Sequence, residues 1–148
     1  MQINTSRFGT LDVQANETLL FPRGLIGFES CRHWVLLPDT ERTEVAWLQS
    51  LAMGSVALPV VSPRRYQSDF RIRVSQRQLG PLELHTQDRF YVLVVVSKTG
   101  SRFTINLKSP LVFNLSRRLG AQVICEDDQP VSLPIGTWSE PRAIRLAA

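Results

Sequence analysis

Between Arg102 and Ile124 the chain reads RFTINLKSPLVFNLSRRLGAQVI, with apolar residues returning at every second position. Phe103, Ile105 and Leu107 alternate with Thr104, Asn106 and Lys108. After Pro110, Leu111, Phe113 and Leu115 alternate again around Asn114, and beyond Gly120 the pattern resumes with Val123 and Cys125. A period of two sends successive side chains to opposite faces of an extended strand, so that one face is buried; a helix needs a period of 3.6. The stretch therefore predicts consecutive short antiparallel strands, interrupted at Pro110 and Gly120.

The rest of the chain follows the same grammar. Phe8, Leu11 and Val13 surround the turn residue Gly9 as a hairpin start, and Thr18 to Phe21 is a further strand closed by Pro22-Arg23-Gly24. His33 to Leu37, Val45 to Leu51 and Ala57 to Val61 read as strands, ended by Pro38 and by Ser62-Pro63. Phe70, Ile72 and Val74 alternate with Arg71 and Arg73, which predicts a strand with one core face and one guanidinium face. Gln76 to Gln87 fits one or two helical turns, because Gly80-Pro81 opposes a long helix. Phe90 to Val96 is the most apolar run and is expected as a central strand buried on both faces; residues 97–101 form the hairpin loop after it. Many short strands at regular spacing predict an all-β fold: a small antiparallel β-barrel-like domain with short helical turns and an irregular C-terminal tail. The domain is expected over residues 1–128. Residues 129–148, punctuated by Pro130, Pro134, Gly136 and Pro141, are expected as an extended or disordered tail in which Trp138 docks on the barrel or anchors a partner. A chain of 148 residues buries roughly 70% of its unfolded surface and needs no disulfide or metal to hold a core.

Net charge is +4, and nearly all the cations are arginines, Lys98 and Lys108 being the only lysines. Such a balance favours anionic partners, although arginine is also common at protein interfaces. Met1 is followed by polar Gln2, Asn4, Thr5 and Ser6, with no apolar stretch of the secretory kind, so a cytoplasmic chain without a membrane anchor is expected. Cys31 and Cys125 stand in no metal-ligand spacing and read as free core thiols. His33 and His85 are the only histidines, no Walker lysine or G-x-S-x-G occurs, and Glu126-Asp127-Asp128 lacks the spacing of a calcium loop. The chain is therefore expected to bind rather than catalyse, with no cofactor. One binding alternative is a cyclic-dinucleotide module. Arg73 and Arg77 resemble the R-x-x-x-R of PilZ-type domains, and Ser97 and Gly100 the S-x-x-G, but Val95 stands where that motif carries Asp or Asn.

Seven blocks, in order, carry a broader resemblance: T-S-R-F-G (5–9), F-P-R-G-L-I-G-F-E (21–29), W-V-L-L-P (34–38), W-L-Q-S (47–50), A-L-P-V-V-S-P (57–63), T-I-N-L-K-S-P-L-V-F-N (104–114) and G-A-Q-V-I (120–124). Over roughly residues 1 to 125 they resemble the flagellar assembly factor FliW family. The resemblance implies a monomeric β-barrel-like domain that binds two protein partners. These are the translational regulator CsrA and flagellin. It implies a partner switch, in which export of flagellin frees the protein to sequester CsrA and so relieve repression of flagellin translation, without direct nucleic-acid binding. Members of that family are often acidic, whereas this chain is basic.

Within these blocks six residues are candidate partner contacts: Phe28, Glu29, Trp47, Gln49, Asn106 and Asn114. Each also has a structural reading. Gly24 and Gly27 permit turns, Phe28 can pack in the core, and Glu29 can close a loop on backbone N–H groups. Trp47 and Leu48 are adjacent, so a strand sends them to opposite faces. Only one of them can point into a single core; the other is expected under a loop or as an exposed anchor, with Gln49 on the Trp47 face. Asn106 and Asn114 are unusual in strands and either satisfy a buried backbone group or line a docking face. Arg64, Arg65, Arg71 and Arg73 form a basic face, solvated or in contact with acidic residues of a partner.

Overall fold

The computed structural model describes residues 1–136 of the chain. It begins with a two-stranded ribbon, β1 (Gln2–Thr5) and β2 (Gly9–Asp12), in which Thr5 pairs with Gly9. The Thr5 hydroxyl closes the turn by donating to the Gly9 carbonyl (2.8 Å) and accepting from the Phe8 amide (2.8 Å). Nine further strands follow: β3 (Thr18–Leu20), β4 (His33–Pro38), β5 (Val45–Ser50), β6 (Ala57–Val61), β7 (Phe90–Thr99), β8 (Arg102–Ile105), β9 (Leu111–Asn114), β10 (Leu119–Gln122) and β11 (Leu133–Gly136). One short helix, α1 (Gln76–Leu79), runs into a 3₁₀ turn at Gly80–Leu82.

The strands hydrogen-bond in the order β11-β8-β7-β6-β5-β4-β3-β10-β9, and β9 pairs again with β7. The seven strands from β7 round to β9 thereby close on themselves, which leaves that ring no open edge. Closure depends on the length of β7. Its first part, Phe90–Leu93, pairs with β9; Val94 and Val95 meet β6; Val96–Thr99 leave the ring and pair with β8. β11 then covers the other edge of β8. All pairings are antiparallel except β3 with β10, where Leu20 lies opposite Leu119. The all-β barrel expected from the two-residue period is therefore the architecture observed.

Two large apolar clusters flank β5. Phe21, Trp34, Leu48, Val60, Leu111 and Phe113 form one; Trp47, Val61, Val96, Phe103, Ile105 and Leu107 belong to the other. Trp47 and Leu48 are both buried because the layer of β8 and β11 gives the second face of β5 a core of its own. The expectation that only one of them reaches a core is thus corrected. Leu133 and Ile135 pack on the Trp47 cluster, so the segment expected as tail from residue 129 contributes a strand. Trp138 lies outside the described residues. A smaller cluster of Leu82, Val112, Leu119 and Val123 sits beneath the helical turns.

Three other expectations change. Phe70, Ile72 and Val74 do pack inward, but residues 70–75 form no strand. β7 is already partnered by β6, β8 and β9, and the segment is held instead by single bonds, the Glu126 amide to the Arg73 carbonyl among them (2.7 Å). Gly120 does not break the chain; it lies inside β10 opposite Phe113, where a Cβ would clash with Phe21 Cζ. β7 is central, yet Phe90 and Tyr91 are 53% and 49% exposed: β9 pairs along one edge of this stretch, but β6 ends opposite Val94 and leaves the other edge uncovered.

Candidate functional site

The six candidate contacts fall into two groups. Trp47, Gln49 and Asn114 are buried and their N–H groups donate internally, while Gln49 Oε1 and Asn114 Oδ1 are buried without a hydrogen-bond partner among the described residues. The Trp47 indole donates to Asp39 Oδ1 (2.9 Å), Phe8 meets its ring edge-on, and the Arg7 guanidinium lies 3.9 Å over it. Burial pushes the Asp39 carboxyl up, but the Trp47 indole and the Arg42 and Glu41 amides together hold it below the ordinary aspartate value. Gln49 Nε2 donates to the Ser50, Gly54 and Val56 carbonyls, tying the β5–β6 turn to its strand. Asn114 Nδ2 donates to the Leu82 carbonyl (2.8 Å) and to Asp88 Oδ2 (3.0 Å), fastening the segment after α1 to β9. These three side chains are buried in this structure; Gln49 and Asn114 satisfy loop carbonyls that burial would otherwise strand, and Trp47 and Asn114 each hold a carboxylate.

Phe28, Glu29 and Asn106 reach the surface. Phe28 is half-buried, edge-on to Trp34 at 6.4 Å. It sits in the β3–β4 loop, where Gly24 (φ 66°) lets the chain pass against the Glu29 backbone too closely for any Cβ. Glu29 is exposed and accepts from the Gly27 amide (3.0 Å), the principal reason its carboxyl is held low. Asn106 Oδ1 accepts from the Lys108 and Ser109 amides (3.0 and 3.1 Å), which turns the chain from β8 toward Pro110. The six are spread over four elements: Phe28 and Glu29 share the β3–β4 loop, Trp47 and Gln49 lie in β5, Asn106 follows β8, and Asn114 ends β9.

The surface offers instead two adjoining clefts at the overhanging end of β7. One, of about 440 Å³, is lined by Pro63, Phe70, Ile72, Phe90, Tyr91 and Val92, with Arg64 and Arg71 at its sides. The other, of about 610 Å³, is lined by Leu36, Ala46, Val60 and Leu93, with Arg65 and Glu44; Ser62 borders both. Arg64 Nε donates to the Phe70 carbonyl (3.0 Å), which fixes that guanidinium at the rim. Glu44, the one carboxylate among the lining residues, is engaged by Arg42 at 3.2 Å. The Arg71 side chain is exposed and enters no ion pair among the described residues. Of the basic face read from the sequence, Arg64, Arg65 and Arg71 thus frame apolar clefts. Sequence reasoning missed the part played by Phe90 and Tyr91; the signal was a strand-forming run much longer than those around it.

A sequence model of the FliW protein family matches residues 2–135. The chain belongs to the FliW family. It is similar to the flagellar assembly factor FliW of Bdellovibrio bacteriovorus, with 32% identity over 151 aligned residues, covering 100% of this chain and 86% of that one. It is also similar to the flagellar assembly factor FliW of Clostridium tetani, with 29% identity, covering 87% of this chain and 90% of the other. The fold matches a crystal structure of the flagellar assembly factor FliW with a TM-score of 0.80, covering 97% of this chain and 100% of that one at 24% identity. The FliW match takes in Arg73, Arg77, Ser97 and Gly100, the residues that resembled a PilZ motif. Ser97 is paired with Thr104 inside the FliW barrel's outer hairpin. No helix among the described residues is long and apolar enough to cross a membrane.

Proposed function

We propose that this FliW-family chain is a non-enzymatic flagellar assembly factor that acts in the cytoplasm as a monomer, binding CsrA and flagellin. Held by flagellin, it leaves CsrA to repress; once flagellin is exported it sequesters CsrA and releases flagellin translation. The observation that carries this reading is the match of the family over residues 2–135, the whole closed barrel together with β8 and nearly all of β11. The surface supports it: the exposed aromatics and the arginine-framed clefts suit protein contact, since aromatic residues and arginine are enriched where proteins meet. On this reading Phe28, Glu29 and Asn106, which reach the surface, are the sequence candidates that touch a partner, and the buried Trp47, Gln49 and Asn114 act from within.

Calorimetric titration of the full chain with CsrA and with flagellin from the same organism tests the proposal. Binding of each partner, with flagellin lowering the capture of CsrA, is the expected outcome. A chain that binds neither protein overturns it.

A further inference from the structure

We propose that the paired clefts at the end of β7 receive an acidic, amphipathic segment of a protein partner, with its apolar side chains seated beside Phe90 and Tyr91 and its carboxylates on Arg64, Arg65 and Arg71. The proposal rests on the reading that this chain binds proteins and names the chemistry that one of its partners must supply.

Phe90 and Tyr91 are the only exposed large aromatics among the described residues, and they are consecutive. They lie where β7 runs past the end of β6 while β9 pairs along its other edge, and both side chains are about half exposed. Large aromatics left uncovered together mark a recognition surface more often than a solvated one. The linings decide the occupant's apolar half: Phe70, Ile72 and Val92 in one cleft, Leu36, Val60 and Leu93 in the other. Charge decides the rest. Three arginines line the two clefts against one carboxylate, Glu44, whose charge is shared between Arg42 and Arg65, so the cleft keeps a positive balance. A guanidinium matches a carboxylate as a two-pronged donor, so an acidic segment is the complement that satisfies this rim. Single-stranded RNA would also meet arginine and tyrosine here. It fits less well, because a phosphodiester needs a continuous basic track and gains nothing from aliphatic walls.

The test uses the full chain, its two exposed-residue variants Arg71→Glu and Tyr91→Ala, and Arg32→Glu. The last makes the same change of net charge at an exposed site on the β3–β4 loop. Melting curves confirm that each variant folds. Each is titrated with CsrA, with flagellin and with single-stranded polyuridine, and the protein complexes are challenged with a short amphipathic peptide of Leu, Phe and Glu and with its Lys counterpart. The expectation is that at least one protein loses roughly tenfold or more in affinity with Arg71→Glu. The same protein loses about thirtyfold with Tyr91→Ala, the usual loss at an aromatic anchor. Arg32→Glu leaves it unchanged, and the Glu peptide competes where the Lys peptide does not. Unaltered binding of both proteins by both cleft variants overturns the proposal while leaving the proposed function standing. So does equal damage from Arg32→Glu, equal competition by the Lys peptide, or RNA binding that alone depends on Arg71. If neither protein binds the unmodified chain, the proposed function fails and this inference with it.

Discussion

Gly120→Ala tests the packing that closes the barrel. Gly120 sits in β10 opposite Phe113, and its φ lies outside the left-handed region, so alanine meets no backbone strain there. The obstacle is Phe21. The added methyl would clash with Phe21 Cζ, and the ring is fully buried and held edge-on by Trp34 at 6.4 Å and Phe113 at 5.6 Å. It has nowhere to turn, so ring or strand must shift. Overpacking of this kind costs about 1–3 kcal/mol. Replacing glycine also restricts the unfolded chain, which returns about 0.4–1 kcal/mol. The steric effect wins, leaving a net loss of about 1–2 kcal/mol, or a fall in melting temperature of roughly 3–8 °C for a domain of this size. Thermal and urea melts of Gly120→Ala, Phe21→Leu and the double variant measure it. A smaller side chain at position 21 makes room for the methyl, so the double variant should be more stable than the sum of the single effects by about 0.5 kcal/mol or more. A Gly120→Ala protein that melts with the parent, or a double-mutant cycle with no coupling, refutes the reasoning.

Two predictions concern titration and thiols. Asp39 is held below the ordinary value of 3.8 in the folded chain, so its contribution to stability is fully present above the unfolded value and is lost as pH falls through the folded one. Asp39→Asn, which keeps an acceptor for the Trp47 indole, should therefore flatten the decline in urea midpoint below about pH 4, where the parent loses stability; an unchanged acid profile counts against the assignment. Cys31 and Cys125 are both buried and free, and burial pushes the Cys125 thiol up. Ellman's reagent should find no fast-reacting thiol in the native chain and both after unfolding in urea; rapid labelling of either in the native state contradicts the structure.

The strand positions were readable because one-sided burial writes itself as a two-residue period. β5, β6, β8 and β9 stand where the alternation or an apolar run placed them. What escaped was decided by neighbours rather than by local pattern. The alternation at Phe70, Ile72 and Val74 satisfies packing alone, because pairing also needs a free strand edge, and sequence does not show which edges are taken. Gly120 looked like punctuation and is instead the space for a ring about a hundred residues earlier in the chain. Leu133-Pro134-Ile135-Gly136 resembled tail because proline and glycine disfavour strands, yet an edge strand with an irregular register accepts both. Asn106 and Asn114 were visible as oddities that either satisfy a buried backbone group or line a docking face, and both do bond to backbone groups here. Gln49 was read as a candidate contact on the Trp47 face; its internal role was not legible, because the carbonyls it serves come together only when the β5–β6 turn forms. The clefts at β7 depend on an overhang, a relation among strand lengths that no single segment contains.

The parallel contact of β3 with β10 has a consequence for how the molecule is made. It joins Leu20 to Leu119, and beside it the Arg118 guanidinium donates to the Glu17 carbonyl 101 positions away. Closing a loop of that length costs roughly 4 kcal/mol in chain entropy before any contact repays it. The strands of the ring's other arc, β4 to β6, can form a meander as they emerge from the ribosome, but the ring itself waits for β9 and β10, encoded late. Half-synthesised chains hold no partial barrel. The protein should therefore fold slowly for its size and in one late step, so that its concentration in the cell counts finished molecules only.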